Sequence, residues 1–189
     1  LVTATQQLAG LEVQRGVSSL GSAADVRTID VFTNQSSSAI TTTVKYTGNL
    51  AADAATQIFG TADGDLLAEA IDRWVGLDDQ DGQGLPAVVQ SLFGPFGVRP
   101  TSVRVVGDNL EWIYDITVPA GQTVRLAHFT AIATEQTDAV QKAQGLYTFA
   151  GFSVAAKSNL SPVELETIAN FNFQFEPNDT LATAVDIGA

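Results

Sequence analysis

The stretch Leu110-Glu111-Trp112-Ile113-Tyr114-Asp115-Ile116-Thr117-Val118 decides the fold class. Its large apolar side chains recur at every second position from Trp112 to Val118. This alternation predicts a half-buried β-strand, because successive side chains of a strand point to opposite sides of the sheet. The turn-forming run Pro119-Ala120-Gly121-Gln122 comes next, so we expect residues 123–134 to return as the partner strand of a hairpin.

Further strand patterns lie on the amino-terminal side of this stretch. They fall at residues 11–17, 26–33, 39–46, 56–60 and 86–93. The polar loop at residues 34–38 has the length of a hairpin connection. Many short strands at regular spacing, with few and late helices, predict a mostly β protein. We expect an antiparallel β-sandwich, immunoglobulin-like or larger, with a β-barrel as the second possible architecture.

Helix signals are few and come late in the chain. Ser161-Pro162-Val163-Glu164 carries a capping-box signature and predicts a short helix over residues 161–169. Thr137 is the expected N-cap of a helix over residues 137–145, and residues 66–71 fit a single helical turn. We therefore expect a sandwich domain over residues 1–170 with two short helices.

The tail, residues 171–189, carries the residues that we expect to mediate assembly. Phe171, Phe173 and Phe175 fall at every second position, as on one face of a strand, and they must be buried against this domain or another chain. An Ala/Thr/Val-rich segment follows. The predicted assembly residues are Phe171, Phe173, Phe175, Leu181, Val185 and Ile187.

Composition excludes several classes of function. The chain of 189 residues has 21 acidic and 9 basic residues, a formal charge of −12, one His and no Cys. Cysteine-dependent metal sites and disulfides are impossible, and so few cations argue against nucleic acid and anionic lipid as partners. No apolar run reaches the roughly 18 residues of a membrane span. The acidic, well-solvated surface predicts an extracellular or cell-surface protein.

Acidic loops are the strongest candidate for chemistry. Asp78, Asp79 and Asp81 lie within four residues, with Asp72 upstream of them and Asp63 and Asp65 before that. Hard cations take six to eight oxygen ligands, which clustered carboxylates and loop carbonyls supply, so the pattern predicts a Ca²⁺ site. The spacing is not that of an EF-hand. The alternative is a solvated turn without metal.

The remaining candidates favour structural roles over catalysis. Trp74 lies beside the acidic loop and is the predicted exposed aromatic of a polysaccharide-binding surface, whereas Trp112 and Tyr114 belong to the core pattern. His128 fits a strand histidine better than a general base, because no nucleophile motif accompanies it. Glu111 and Asp115 lie about 13–14 Å apart along one strand, too far for either glycosidase geometry.

Two resemblances point to a modular exported protein. The run Phe175-Glu176-Pro177-Asn178-Asp179-Thr180-Leu181-Ala182-Thr183-Ala184 resembles the opening of a bacterial pre-peptidase C-terminal domain, which implies that another module followed this chain in its parent. The upstream region resembles, more loosely, β-rich modules of large secreted multidomain bacterial proteins. That resemblance is carried by Val26-Arg27-Thr28, Gly48-Asn49-Leu50, Thr61-Ala62-Asp63-Gly64-Asp65, Asp78-Asp79, Val118-Pro119-Ala120-Gly121 and Ala169-Asn170-Phe171.

The sequence therefore predicts a non-catalytic structural building block of an exported bacterial surface or filamentous assembly. We expect it to associate with other copies or with neighbouring modules through terminal strands. The alternative is a Ca²⁺-assisted carbohydrate-binding or adhesion module that takes a polysaccharide as its partner. A hydrolase with two converging carboxylates is the least favoured reading.

Overall fold

A computed structural model describes residues 1–21, 25–49, 56–79, 86–148 and 151–173. The strands are β1 (Gln6–Leu8), β2 (Leu11–Ser19), β3 (Val26–Thr33), β4 (Ile40–Asn49), β5 (Gln57–Thr61), β6 (Trp74–Asp78), β7 (Ala87–Ser91), β8 (Ser102–Val106), β9 (Asn109–Val118), β10 (Thr123–Ala133), β11 (Tyr147–Thr148) and β12 (Gly151–Phe152). The helices are α1 (Gln136–Gly145), α2 (Val154–Lys157) and α3 (Pro162–Glu166). Among the described residues, no helix is long and apolar enough to cross a membrane.

The strands form a sandwich of two main sheets, which confirms the predicted fold class. One sheet has seven strands in the order β1-β2-β3-β10-β7-β6-β5, and the other has three in the order β4-β9-β8. Both are antiparallel throughout their named strands. A small hairpin of β11 and β12 accompanies them.

The alternation in β9 behaves as predicted, but its partner does not. Trp112, Tyr114, Ile116 and Val118 are all buried between the sheets. The expected hairpin with residues 123–134 is wrong, because β9 pairs with β4 and β8, whereas β10 pairs with β3 and β7 in the other sheet. The turn after β9 therefore carries the chain across the sandwich, which lets both strands bury their apolar faces in one core.

The loop at residues 34–38 makes the same kind of crossing. β3 belongs to the large sheet and β4 to the small one, so these two strands are not a hairpin either. Buried Asn34 holds the crossing in place, since its amide donates to the carbonyl oxygens of Ser38 (2.8 Å) and Val118 (2.9 Å). Both crossings thus meet at one end of the sandwich.

The outer face of the large sheet is covered by the helical and carboxy-terminal parts of the chain. α1 packs over β10, β7 and β6 through Ala139 and Ala143. Farther along, Arg125 in β10 exchanges backbone hydrogen bonds with Thr167 and Ala169, at 2.8 Å each. Because β7 pairs with β10 only from Phe129 onward, the carboxy-terminal segment completes the sheet beside the first half of β10.

Asn170 fastens this segment. Its Oδ1 accepts from the Ala127 amide (2.8 Å), and its Nδ2 donates to the carbonyl oxygens of Leu92 (2.7 Å) and Ala127 (2.6 Å). Its own carbonyl accepts from the Gly94 amide (2.9 Å). A Cβ at Gly97 would come within 1.9 Å of that carbonyl oxygen, so the close approach of the two segments requires glycine there.

The helix predictions need several corrections. The capping box is confirmed, because the Ser161 hydroxyl accepts from the Glu164 amide and the Glu164 carboxylate accepts from the Ser161 amide, but α3 is shorter than the expected helix over residues 161–169. α1 has Glu135 as N-cap without a side-chain bond, so Thr137 is not the cap. Residues 66–71 form no helical turn, and α2 was not predicted.

Candidate metal centre

The β5–β6 connection, residues 62–73, brings together a group of carboxylates. It begins at Thr61, the buried last residue of β5. The Thr61 hydroxyl lies 2.9 Å from an Asp63 carboxylate oxygen and 3.1 Å from one of Asp65. Gly64, between these two aspartates, has a φ of +95°, which turns the chain sharply. The turn sets the Asp63 and Asp65 side chains next to each other.

Glu69 completes an acidic triad with these two residues. Carboxylate oxygens of Asp63, Asp65 and Glu69 all lie within 4.8 Å of one another, and the three side chains are exposed. Among the described residues, none of the three forms an ion pair with a lysine or arginine. Three neighbouring carboxylates without a cation repel one another, so this triad could bind a metal ion.

Asp72 follows Glu69 by three positions in the same connection and is fully buried. Its Oδ2 accepts from the Glu69 amide at 2.9 Å, whereas its Oδ1 has no hydrogen-bond partner. Burying a carboxylate oxygen without a partner is costly, because the group loses its hydration and gains nothing in return. The charges of Asp63 and Asp65 act on this carboxylate, so a cation held by the triad would offset part of that cost.

The pKa values of the loop carboxylates reflect this crowding. Burial raises the pKa of Asp72 above its ordinary value, and the nearby charges of Asp63 and Asp65 raise it further. The backbone amides of Glu69 and Asp63 act in the opposite direction and lower this pKa. Asp63 shifts the other way, because the Asp65 amide and the Thr61 hydroxyl donate to it and lower its pKa. Of these two carboxylates, Asp72 is therefore the one whose ionised form is destabilised by its surroundings.

The structure divides the aspartates that the sequence grouped into one Ca²⁺ site. Asp63 and Asp65 belong to the triad, but Asp78 is buried at the end of β6, where it accepts from the Gln136 side chain (2.9 Å) and the Asp79 amide (2.9 Å). Asp79 has one buried oxygen without a partner. Asp81 lies outside the described residues. Asp78 and Asp79 therefore do not join the triad.

Glu69 was missed as a ligand by the sequence reasoning. Its signal was present in the spacing, since four carboxylates occur at positions 63, 65, 69 and 72 of one connection. The prediction centred instead on the denser run of aspartates that begins at Asp78.

Trp74 is half-buried and not the exposed platform that was predicted. Its ring lies over Gly60, where an added Cβ would contact it at 3.6 Å, and it packs against the cluster that includes Ala139 and Ala143 of α1. One part of it lines a cavity of about 150 Å³ together with Arg73, Gln144 and other residues. The ring therefore serves mainly to seat α1 on the sheet.

His128 is a core histidine. Burial lowers its pKa to about 3, with a smaller contribution from Arg15, so the imidazole is neutral near pH 7. Its Nε2 accepts from the Trp112 indole at 3.0 Å across the sandwich. Tyr46 packs against both rings. The side chain acts as an acceptor that ties the two sheets together.

The carboxylates of β9 lie on the solvent face of the small sheet. Glu111 pairs with Lys45 and Arg104, at 2.6 Å each, and the Lys45 contact is the largest cause that lowers its pKa. Asp115 accepts from the Thr43 hydroxyl at 2.7 Å. Both carboxylates are thus engaged with residues of neighbouring strands.

The predicted assembly residues fall into two groups. Phe171 and Phe173 are 3 % and 4 % exposed and pack against Phe129 and Phe152 of this domain, so they are not offered to another chain. They also lie outside any strand, which corrects the predicted strand over this segment. Phe175, Leu181, Val185 and Ile187 lie outside the described residues.

Comparisons with known proteins add little. No protein-family model matches the chain, and no curated protein matches it. Thirteen chains of solved structures match, among them a protein assigned as a kojibiose phosphorylase from the human microbiome. That likeness has a TM-score of 0.47 at 11% identity, and it covers 73% of this chain but only 19% of that one. A likeness this distant says nothing about function.

Proposed function

We propose that this chain is a Ca²⁺-binding, non-catalytic β-sandwich that serves as a structural building block of an exported bacterial assembly. One observation carries the proposal: carboxylate oxygens of Asp63, Asp65 and Glu69 converge within 4.8 Å on the same connection that carries fully buried Asp72, one of whose oxygens has no partner. A purely solvated turn would leave its carboxylates in water, where each can be hydrated.

The chemistry of the donors favours Ca²⁺ over other ions. The three side chains of the triad offer carboxylate oxygens, which hard cations prefer, and the triad contains no nitrogen or sulfur ligand that would select zinc or copper. Exposed ligands that leave room for water also suit the variable coordination of Ca²⁺ better than the strict octahedron of Mg²⁺. Bound Ca²⁺ would fasten the long β5–β6 connection to the sheet edge.

The structural role is supported by how the other candidate groups are used. His128 is neutral and buried, and Glu111 is paired with two cations on an open sheet face. Assembly is supported by the amino-terminal edge of the large sheet. There, β1 is fully exposed, and Leu1, Val2 and Leu8 are 91 %, 69 % and 57 % exposed. An apolar sheet edge of this kind favours addition of a strand from another copy.

The Ca²⁺ site is tested by titrating the metal-free protein and recording its thermal unfolding. We expect a saturable rise in Tm with Ca²⁺, because a ligand that binds only the folded state stabilises it. In Glu69→Gln, whose carboxylate makes no hydrogen bond within the described residues, the rise should be largely lost. Glu135→Gln, an exposed glutamate at the start of α1, is the matched control and should respond like the wild type. An equal response of both variants contradicts the site.

Self-association is tested separately by light scattering after size-exclusion chromatography. We expect concentration-dependent association of the wild type, and we expect Leu8→Lys to reduce it, because a charge on an edge strand opposes edge pairing. Val106→Lys, which places the same charge on an exposed edge position of the small sheet, is the control. A wild type that stays monomeric at all concentrations contradicts assembly through this edge.

A further inference from the structure

A cleft of about 290 Å³ lies on the outer face of the large sheet, far along the chain from the acidic loop. Its floor comes from β2 and β3, where Gly16 is paired with Ile29 and Gln14 with Val31. Its walls include Arg27, Arg125 and residues of the α2–α3 connection. The carboxy-terminal segment covers this face above β10 but leaves the side above β2 open, and that opening is the cleft.

Two arginines face this cleft without a carboxylate partner. Arg27 is buried, and one of its nitrogens donates to the Ala156 carbonyl at 2.9 Å. Arg125 is half-buried and donates to the Thr167 hydroxyl. Neither guanidinium forms an ion pair within the described residues, although the chain as a whole carries a formal charge of −12.

The acidic residue that lines this cleft, Glu164, is hydrogen-bonded to Ser161. Glu164 lines the cleft, but its Oε2 accepts from the amide (2.9 Å) and the hydroxyl (2.7 Å) of Ser161 as part of the capping box. These bonds are the largest causes that lower its pKa, and the charges of Arg125 and Arg27 lower it further. Two guanidinium charges against one carboxylate leave the cleft with a net positive charge.

The floor of the cleft is kept open by a glycine in the middle of a strand. Glycine inside a strand weakens it and often marks a place where another group approaches closely. A Cβ at Gly16 would contact nothing nearer than the Ile29 carbonyl oxygen, at 3.8 Å, so packing within the described chain does not require glycine there. The space above Gly16 is therefore available to a ligand.

We propose that this cleft binds the carboxylate group of a small organic ligand, with Arg27 and Arg125 as the anion-recognising residues. Guanidinium groups bind carboxylates through paired, charge-assisted hydrogen bonds. The apolar floor of Ile29, Val31 and Leu160 accommodates a carbon skeleton, and Gln14, Ser18 and Asn159 supply neutral hydrogen-bonding groups around it. Asn159 has a φ of +58°, a conformation that an asparagine tolerates better than most residues. The ligand class is therefore a carboxylate attached to a body that is partly apolar.

Isothermal titration calorimetry with defined probes tests the proposal. N-acetyl-leucine and glucuronate carry the same charged group on an apolar and on a hydroxylated body, so they distinguish an amino-acid source from an acidic-sugar source. N-acetyl-leucinamide has the body of the first probe without its charge. We expect at least one carboxylate to bind, and the amide to bind about tenfold more weakly than N-acetyl-leucine or not at all. Binding of neither carboxylate, or equal binding of acid and amide, overturns the proposal.

Two variants locate the binding. Arg125→Gln should weaken the carboxylate by about tenfold or more. Its control is Arg104→Gln, which removes an arginine from the opposite, solvent-facing side of the small sheet. Gly16→Leu should abolish binding while keeping or raising Tm, because its side chain fills open space on a strand. This second variant separates a lost site from a lost fold. Unchanged affinity in Gly16→Leu overturns the placement of the ligand.

Discussion

Asn170 and Asp72 are both fully buried polar residues, yet their surroundings are opposite. Each polar atom of the Asn170 side chain has a backbone partner, across three hydrogen bonds of 2.6–2.8 Å. Asp72 satisfies one oxygen and leaves the other without a partner. With its complete set of partners, Asn170 joins segments of the chain, whereas the unpartnered oxygen of Asp72 carries an electrostatic cost that a nearby cation would offset.

The largest loss of stability is expected from replacing Asn170, whose side-chain atoms all have hydrogen-bond partners. Asn170→Ala strands the amide and carbonyl of Ala127 and removes a donor from the Leu92 carbonyl. Each buried unsatisfied group costs about 1–3 kcal/mol, so we expect the free energy of unfolding to fall by about 3 kcal/mol or more. Urea unfolding at neutral pH measures it. Asn109→Ala, whose side-chain amide donates to the adjacent Asp108, is the control and should lose much less. Comparable losses in both variants contradict the fastening role.

His128 lies between these two cases. It is a buried titratable group, and its neutral form accepts a hydrogen bond from Trp112. Its folded pKa of about 3 lies below its ordinary value of 6.5. A depressed histidine pKa means that the unfolded chain takes up a proton first, so the stability that His128 contributes is present above pH 6.5 and is lost as the pH falls. Between pH 6.5 and 5 this loss amounts to about 2 kcal/mol.

The measurement is the free energy of unfolding at both pH values in the wild type and in His128→Phe. The variant loses the acceptor for Trp112 and is less stable throughout, but the part of the pH dependence due to histidine should disappear from it. Since the carboxylates titrate in both proteins, the difference between the two slopes isolates the imidazole. Parallel slopes would show that the imidazole is not kept neutral by its surroundings.

The smallest change in stability is expected from replacing Asp72, which has one oxygen without a partner. The pKa of Asp72 is raised, so the metal-free folded protein binds a proton more tightly than the unfolded chain. The ionised carboxylate therefore disfavours folding at neutral pH, and lowering the pH through its raised pKa relieves that cost. Asp72→Asn should leave the free energy of unfolding of the metal-free protein unchanged or raise it by less than about 1 kcal/mol, and should lose the response to Ca²⁺. Differential scanning calorimetry with and without Ca²⁺ checks both. A variant that is less stable without metal yet keeps the full Ca²⁺ response reverses the interpretation.

How much the sequence could predict depends on the range of the interaction. The alternation from Trp112 to Val118 and the capping box at Ser161 are local patterns, and both appear in the structure. The partner of β9 could not be read in the same way, because alternation shows which face is buried and not which strand lies alongside. A short turn after β9 fits a hairpin and a crossing between sheets equally well.

The candidate metal centre shows the same division. Asp63 and Asp65 are close in sequence and were found, whereas Glu69 joins them only through the path of the connection. Asp78 was wrongly assigned to the metal site, because its carboxylate accepts a hydrogen bond from the Gln136 side chain, 58 positions later in the chain. The arginine cleft could not be predicted at all, since only the pairing of β3 with β10 brings Arg27 and Arg125 to one face of the large sheet.

The seating of residues 167–170 beside β10 has a consequence for how the chain is made. The large sheet stays open next to Arg125 and Ala127 until the segment with Ile168 and Asn170 has been synthesised, so its centre is closed only after all of its named strands have emerged from the ribosome. Such distant pairings slow folding and leave apolar surface uncovered during translation. Any recombinant boundary placed before Asn170 should therefore yield aggregates rather than a smaller soluble domain.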